Sequence, residues 1–189
     1  GNMEDVRVNH LPEGDLPHIA IPGTAGTGAE ATPIAVVYEN NEKLSLDHPV
    51  LLPEAILLEG SLLDTLPLYH KKACAMDALC QGIESYWAVK ATQESRIHAE
   101  RAILGVLRNF DAYLAGDADA ADTMLEAAYE SGCAIRISRT TAAHAMSYQI
   151  TKRIGPAHGH ACMLTLPHLW RHMGEDPVLT ELNVLMDTA

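Results

Sequence analysis

The sequence has few positive charges and no cluster of them. Its 189 residues carry 13 Lys and Arg against 25 Asp and Glu, which gives a formal net charge of −12 at pH 7. Because nucleic acids are bound mainly through lysine and arginine, we expect no nucleic acid partner. No apolar run approaches the roughly 20 residues that a membrane-spanning helix needs, so we expect no membrane partner either.

Paired cysteines and a secretory leader are also missing. The four cysteines are scattered, and no two of them form a CxxC motif: Cys74, Cys80, Cys133 and Cys162. No disulfide framework is therefore indicated. The chain shows no leader with a basic start and a small-residue cleavage site. We therefore expect the protein in a reducing, cytoplasmic environment.

Two regions of different character follow one another along the chain. Short β-rich runs predict strands over 18–21, 32–39, 43–48 and 54–60, with a hairpin-like turn at 40–43. From about Lys71 the apolar spacing predicts helices over 71–90, 95–115, 119–137, 139–152 and 160–173. Asp117 or Asp119 is expected to cap the third helix, and Thr140 or Thr141 falls near the start of the fourth. The order indicates an α/β part over 1–66 followed by an all-α part over 67–189.

The segment PGTAGTGAE (22–30) is rich in small residues and follows a predicted strand. Glycine lets a backbone approach a ligand closely, and threonine hydroxyls supply hydrogen-bond donors. Such a loop suits the phosphate or carboxamide groups of a nucleotide. It is neither GxGxxG nor a Walker A motif, so a plain connection between strands remains an equal alternative.

An acidic residue lies inside the apolar helix ACAMDALCQGIESYW (73–87). Asp77 and Gln81 are four residues apart and share one face, and Glu84 lies on the same side. A buried carboxylate needs a cation, hydrogen bonds or a raised pKa. A carboxylate that caps a nearby loop is the simpler explanation; a metal ligand is the other.

Two histidines offer partners for that aspartate. His144 lies in TTAAHAMSY, and His158 follows fourteen residues later in PAHGH. An aspartate with neutral histidine or amide ligands is a typical set for Zn²⁺ or Fe²⁺. A single histidine of this kind is more often a hydrogen-bonded core residue, but two of them with a buried aspartate favour a metal site.

Four segments, in this order, resemble the iron-containing (group III) alcohol dehydrogenase family: PGTAGTGAEAT (22–32), DALCQGIESYW (77–87), AAHAMSY (142–148) and PAHGHA (156–161). The similarity extends through 52–78 and covers most of 17–172, and CQGIESYW is close to the phosphonoacetaldehyde-reducing branch. The resemblance implies a dehydroquinate synthase-like architecture. In it, an N-terminal α/β nucleotide-binding domain, here only its C-terminal part (1–66), precedes an all-helical metal-binding domain (67–189).

The resemblance also implies a divalent metal, Fe²⁺ or Zn²⁺, in the cleft between the two parts. The implied ligands are Asp77, Gln81, His144 and His158. The family usually has histidine at the position of Gln81, whose carbonyl oxygen can still act as a ligand. The reaction implied is interconversion of an alcohol and a small aldehyde or ketone, linked to NAD or NADP.

Contacts to the cofactor are implied for the small-residue loop and one lysine, namely Thr24, Gly26, Thr27, Thr32 and Lys43. The glycine-rich GGGS-type phosphate loop of the family has no counterpart in the sequence. Because neither end of the chain has a clear element or cap, we expect a fragment whose helical domain is incomplete at its C-terminus. A non-catalytic remnant and a lyase of the dehydroquinate synthase type are therefore alternatives to the oxidoreductase.

Several further side chains are candidates for catalysis or substrate binding. His160 is a candidate for a proton relay, with packing as an equal alternative, and Tyr148 stands where some family members have a relay histidine. Arg136 and Arg139 either hold a phosphonate or carboxylate of the substrate or brace helix ends. His168 is predicted to be a structural core residue. The expected partners are a small alcohol or aldehyde and further copies of the chain in a homo-oligomer.

Overall fold

The computed structural model describes residues 17–39 and 42–189. Within them four short strands precede six helices. The strands are β1 (Ile19–Ala20), β2 (Ile34–Glu39), β3 (Glu42–Asp47) and β4 (Ala55–Ile56). The helices are α1 (Leu68–Trp87), α2 (Gln93–Leu114), α3 (Ala118–Ser138), α4 (Ala142–Ile154), α5 (His158–Met173) and α6 (Pro177–Met186).

The strands form two separate two-stranded sheets. β1 pairs in parallel with β4, so that Ile19 lies opposite Ala55. β2 and β3 are antiparallel, and Glu39 pairs with Glu42, as expected for a hairpin. Residues 40 and 41, which fall in the predicted turn at 40–43, lie outside the described residues. The first helix begins next to the predicted boundary at 66/67, and the division into two domains stays a prediction.

All five predicted helices are present, with ends that differ by a few residues. The prediction of a strand over 54–60 is wrong in length. Only Ala55 and Ile56 pair, because a 3-10 turn begins at Gly60, where the Glu59 carboxylate caps Ser61 N (3.2 Å). Helix α6 was not predicted. Asp176 caps it through Val178 N (3.0 Å) and Pro177 occupies its first position, which is a recognisable start.

The caps of α3 and α4 differ in origin. Asp117 caps α3 by accepting from Ala120 N (2.8 Å), which decides between the two predicted aspartates. Thr141 precedes α4, but its own side chain does not cap the helix. A carboxylate from another helix, Glu84 of α1, accepts from Thr141 N (3.0 Å) and Ala143 N (2.9 Å). The start of α4 is therefore anchored to α1.

Only three residues, 139–141, connect α3 to α4. Arg139 has φ of 69°, and it is the single non-glycine residue of the described chain in the left-handed half of φ space. Such a conformation costs on the order of 1–3 kcal/mol. The guanidinium of Arg139 pairs with the Asp47 carboxylate of β3. The connection thus turns sharply while an ion pair holds it against the hairpin.

Helix α1 lies at the centre of the core and packs against α2, α3 and α5. Side chains from all of these helices are fully buried around it, among them Ala75, Ala78, Cys80, Ile103, Val106, Met124, Leu125 and Cys162. Burial on nearly all sides explains why α1 is apolar around its circumference and why its polar residues need partners. None of the described helices combines the length and the apolar content needed to cross a membrane.

The small-residue loop between β1 and β2 packs directly on the helices at its glycines. Gly28 has φ of 56°, and a Cβ atom built on Gly132 of α3 would lie 2.2 Å from the Gly28 carbonyl oxygen. A Cβ atom on Gly26 would lie 2.9 Å from the Cys74 Cα atom of α1. Glycine at these positions therefore lets the loop backbone touch both helices.

We expect Gly132→Ala to destabilise the protein by about 1–3 kcal/mol, because the methyl group overpacks a backbone contact. Helix propensity alone would favour alanine by about 1 kcal/mol, so the sign of the change reports on the close approach. Urea unfolding measures it. Gly23→Ala is the matched control, since a Cβ atom there has nothing within 4 Å. Equal or higher stability of Gly132→Ala would contradict the contact.

Candidate metal centre and adjoining loop

Three of the predicted metal ligands meet where α1, α4 and α5 converge. Asp77 of α1 and His144 of α4 are buried, and the side chain of His158, the first residue of α5, is 36% exposed. Asp77 Oδ1 lies 3.2 Å from His144 Nε2 and 3.8 Å from His158 Nε2. The two imidazole rings stand edge to face with centroids 5.3 Å apart. The Nε2 atoms of both rings therefore face one carboxylate.

Glu84 orients the His144 ring. Its carboxylate is completely buried and accepts from Thr141 N (3.0 Å), Thr141 Oγ1 (2.5 Å) and Ala143 N (2.9 Å). It also contacts His144 Nδ1. An ionised carboxylate only accepts hydrogen bonds, so Nδ1 carries a proton and Nε2 is left facing Asp77. Carboxylate–histidine pairs of this kind hold metal-binding imidazoles in proteins.

Burial alone would raise the pKa of the Glu84 carboxyl, but the hydrogen bonds from His144, Thr141 and Ala143 outweigh it and leave the pKa below its ordinary value. Burial likewise acts to lower the pKa of His144. Hydrogen bonds with Asp77, Cys162 and Glu84 outweigh that effect and hold the pKa well above its ordinary value. The surroundings of His144 therefore stabilise a positive charge.

Ser147 plays the corresponding part for His158. The Ser147 hydroxyl donates its one proton to the His144 carbonyl oxygen (2.7 Å) and lies 3.2 Å from His158 Nδ1. The hydroxyl can therefore only accept from the imidazole, which places the proton of His158 on Nδ1. Tyr148 covers the ring of His158, with centroids 5.7 Å apart and planes at 12°.

Cys162 completes a cluster of four possible ligands. Its sulfur atom lies 3.8 Å from His158 Nε2, and the donor atoms of Asp77, His144, His158 and Cys162 are all within 4.8 Å of one another. One carboxylate, a thiol and two imidazoles around one point suit a divalent cation such as Zn²⁺ or Fe²⁺. The sequence interpretation overlooked Cys162, Ser147 and the role of Glu84. Their spacing of three, four or seven residues from the predicted ligands was the available signal.

The structure shows Gln81 bound to protein atoms at both ends of its amide. Its Nε2 donates to the Thr27 carbonyl (3.2 Å), and its Oε1 accepts from Ser131 Oγ (2.8 Å). Gln81 is buried and lies one turn after Asp77 on α1. Its role as a ligand stays a prediction, and its observed role is to tie the small-residue loop to α1 and α3.

A cavity of about 560 Å³ opens beside the cluster, between the helices and the hairpin. Three members of the cluster line it, together with two neighbouring side chains, the loop and several hydroxyl groups: Asp77, His144 and His158, Gln81 and Tyr148, with Thr27, Thr32, Ser45, Thr140 and Thr151. Thr24 does not line it but lines a separate surface cavity of about 380 Å³, which Thr27 shares. Gly26 is buried against α1.

Lys43 and His160 are also predicted site residues. Lys43 lies in β3 opposite Tyr38, and its side chain lies outside the described part of the structure. His160 is exposed and sits outside the cavity, where its Nδ1 contacts the Tyr69 hydroxyl (3.2 Å), which accepts from Ala157 N (2.9 Å). The choice between a proton relay and packing for His160 stays a prediction.

Neither predicted substrate arginine lines the cavity, as Arg136 is exposed at the end of α3 and Arg139 pairs with Asp47. His168 is exposed on α5, so the prediction that it belongs to the core is wrong. The helical spacing correctly predicts an apolar helix here. Pro167 and His168 lie on the face of that helix that is exposed to solvent, and not on the buried face.

Two family descriptions match the sequence over most of its length. The C-terminal part of the Fe-containing alcohol dehydrogenase family matches residues 72–186, and iron-containing alcohol dehydrogenase matches residues 2–60. The chain therefore belongs to the iron-containing alcohol dehydrogenase family, as the resemblance of its motifs indicated. It is 41% identical to the phosphonoacetaldehyde reductase of Streptomyces viridochromogenes over 158 residues, which are 82% of this chain and 40% of that protein.

Solved structures support the same fold. The sulfoacetaldehyde reductase of Bifidobacterium kashiwanohense, solved in complex with NAD⁺, is 30% identical, with a TM-score of 0.82 over 87% of this chain and 45% of its own. An iron-containing alcohol dehydrogenase from Thermotoga maritima is 27% identical, with a TM-score of 0.85 over 97% of this chain and 51% of its own. The fold class predicted from the sequence, α/β plus all-α, is thereby confirmed. The chain spans between two fifths and about half of the length of these relatives.

We expect Glu84→Gln to weaken Zn²⁺ binding by about 10–100-fold, as is typical when a carboxylate behind a metal-binding histidine is removed. The amide can still accept from the α4 backbone, but its NH₂ group would donate to His144 Nδ1 and move the imidazole proton to Nε2. Titration against a chelator measures the affinity. Glu130→Gln removes a histidine-paired carboxylate far from the site, facing His98, and should leave the affinity unchanged. Equal affinities in both variants would rule out the orienting role.

Proposed function

We propose that the protein is a metal-dependent, NAD(P)-linked oxidoreductase that interconverts an alcohol and a small aldehyde or ketone. The observation that carries the proposal is the cluster of Asp77, His144 and His158 at the wall of a 560 Å³ cavity whose other wall is the small-residue loop. A metal site and a loop suited to a nucleotide thus border one space. Membership of the iron-containing alcohol dehydrogenase family supports the same reaction class.

The residues that would hold the metal are Asp77, His144 and His158, with Gln81 as the fourth ligand implied by the family pattern. When bound, the metal supplies Lewis acidity toward the oxygen of the substrate. The chain contributes the orientation of both imidazoles through Glu84 and Ser147, so that their Nε2 atoms face the Asp77 carboxylate. Tyr148 also lines the cavity, next to His158, and is our candidate for a group that exchanges a proton with the substrate.

The loop residues Thr27 and Thr32 line the same cavity and are candidates for contacts to a nicotinamide dinucleotide. The NAD⁺ complex of the sulfoacetaldehyde reductase supports such a cofactor, and whether this protein uses NAD or NADP is part of the test below. Thr24, Gly26 and Lys43 remain in the proposal as further parts of the cofactor site. The free cysteines of the described chain are consistent with a cytoplasmic enzyme, and a homo-oligomer is still expected.

We further propose that the substrate carries an anionic group such as a phosphonate or sulfonate. Two relatives, named for phosphonoacetaldehyde and sulfoacetaldehyde, support this class of substrate. The described lining residues include no lysine or arginine, so hydroxyl donors would have to bind the anion. Thr151 is the leading candidate, because its hydroxyl oxygen is buried and has no hydrogen-bond partner among the described residues.

Asp77→Ala should abolish metal retention and lower kcat/KM for aldehyde reduction by at least about 1000-fold, because the Lewis acid supplies several kcal/mol to the reaction. Metal analysis and oxidation of NADH and NADPH with a panel of small aldehydes measure the two effects. Asp64→Ala, at an exposed aspartate before α1, is the control and should change neither. Bound metal without turnover on any aldehyde would favour the lyase or the non-catalytic remnant. Unchanged metal in Asp77→Ala would refute the ligand assignment.

Thr151→Val should lower kcat/KM for phosphonoacetaldehyde and sulfoacetaldehyde by about 10-fold. This is the effect expected when one hydrogen bond to a charged group is lost. The same change should leave the kcat/KM for acetaldehyde, which lacks the anionic group, within about twofold, since that bond is then absent. Thr123→Val, at a half-buried threonine of α3 whose hydroxyl donates to Asp119 O, is the matched control. Equal losses on charged and uncharged aldehydes would contradict a role in anion binding.

A further inference from the structure

The fourth protein ligand is open to question because the Gln81 amide is already engaged. Its nitrogen donates to a loop carbonyl oxygen at 3.2 Å, and its oxygen accepts from Ser131 Oγ at 2.8 Å. Turning the carbonyl oxygen toward Asp77 would give up the contact with Ser131, whose hydroxyl also has the Ala128 carbonyl as an acceptor (2.7 Å), and would break the bond from Nε2 to the Thr27 carbonyl. The buried Nε2 group of Gln81 would then be unpaired. An unpaired buried polar group costs on the order of 1–3 kcal/mol.

Cys162 lies beside the two histidines and Asp77, whereas the Gln81 amide is bound to the loop and to Ser131. Cys162 follows His158 by one helical turn on α5, so both side chains share one face of that helix. The side chain is fully buried, and its sulfur atom lies 3.8 Å from His158 Nε2. The sulfur also lies within 4.8 Å of the donor atoms of Asp77 and His144. Cys162 therefore lies next to His158 and in the same small cluster as Asp77 and His144.

Close packing of α5 on α1 brings the sulfur to the cluster. A Cβ atom on Gly159 would lie 2.0 Å from the Ala73 carbonyl oxygen and 2.7 Å from Asp77 Cβ. Only glycine permits this approach of the first turn of α5 to the residue that carries the carboxylate. His158 and Cys162 flank Gly159 and are positioned by the same contact.

Three of the six separations between the donor atoms are close to those of a small coordination sphere, and all six are within 4.8 Å. A tetrahedral Zn²⁺ site with bonds of about 2.0–2.3 Å has donor atoms about 3.3–3.8 Å apart. In this protein the separations are 3.2 Å for Asp77–His144, 3.8 Å for Asp77–His158 and 3.8 Å for His158–Cys162. Glu84 and Ser147 hold the Nδ1 atoms of both imidazoles, which leaves the Nε2 atoms for the same centre.

We propose that the Cys162 sulfur atom, rather than the Gln81 amide, is the fourth protein ligand of the metal, and that the site consequently selects Zn²⁺ over Fe²⁺. The inference rests on the proposed metal site and concerns which residue completes it. A thiolate is a soft ligand that suits zinc, and zinc exceeds ferrous iron in affinity for a given set of ligands. Gln81 then serves only to hold the loop.

The test uses the wild-type protein loaded with Co²⁺ and, separately, with Zn²⁺. A thiolate bound to Co²⁺ gives a charge-transfer absorption band in the near ultraviolet, which nitrogen and oxygen ligands do not give. We expect that band in the wild type and in Gln81→Leu, and its loss in Cys162→Ser. X-ray absorption of the zinc-loaded wild type should show one sulfur neighbour at about 2.3 Å.

Cys133→Ser, at a buried cysteine of α3 outside the cluster, is the matched control and should keep the band. Zn²⁺ affinity should fall more than about 100-fold in Cys162→Ser, beyond the effect of losing an outer partner. Bound metal with only nitrogen and oxygen neighbours at about 2.0–2.1 Å would overturn the inference and leave the metal site intact. Failure to bind either metal would overturn both. The X-ray measurement does not depend on how well any variant folds.

Discussion

The carboxylate of Glu84 is the interaction on which the geometry of the site depends. It is fully buried in α1, and it binds the first backbone amides of α4, the Thr141 hydroxyl and the His144 imidazole. An ionised group in this position is tolerated because four donors replace the water it has lost. One side chain thus fixes where α4 begins, which way its first turn faces and which nitrogen of His144 is free.

Close backbone contacts set the remaining distances. Gly159 lets α5 reach α1, and Gly28 and Gly132 let the loop reach α3. Gln81 then joins the loop to the helix that carries Asp77. Packed interiors deform little, so these contacts transmit the position of one element to the next. Asp77 of the four-residue cluster and Gln81 at the wall of the cavity are consequently held by neighbouring turns of the same helix.

Much of the fold could be predicted from the sequence, and less of the site. The helices follow from apolar spacing, and the cap of α3 from Asp117, because both are local properties of the chain. Asp77, His144 and His158 could be singled out because polar residues inside apolar helices are unusual. The engagement of Gln81 with Thr27 and Ser131 depends on contacts 50 or more residues apart, which no local pattern contains. The exposure of His168 and the approach of Cys162 depend in the same way on how α5 is rotated against α1.

The three-residue connection between α3 and α4 has a consequence for how the chain tolerates changes of length. Arg139 turns the backbone in a strained conformation, Thr140 lines the cavity and Thr141 binds Glu84. Each of these three residues therefore has a defined conformation, position or contact. A residue added between the anchor at Thr141 and His144 would rotate His144 by about 100° about the axis of α4 and carry it away from Asp77. The length of the connection at 139–141 is therefore tied to the position of His144, and we expect it to tolerate insertions less well than an exposed loop does.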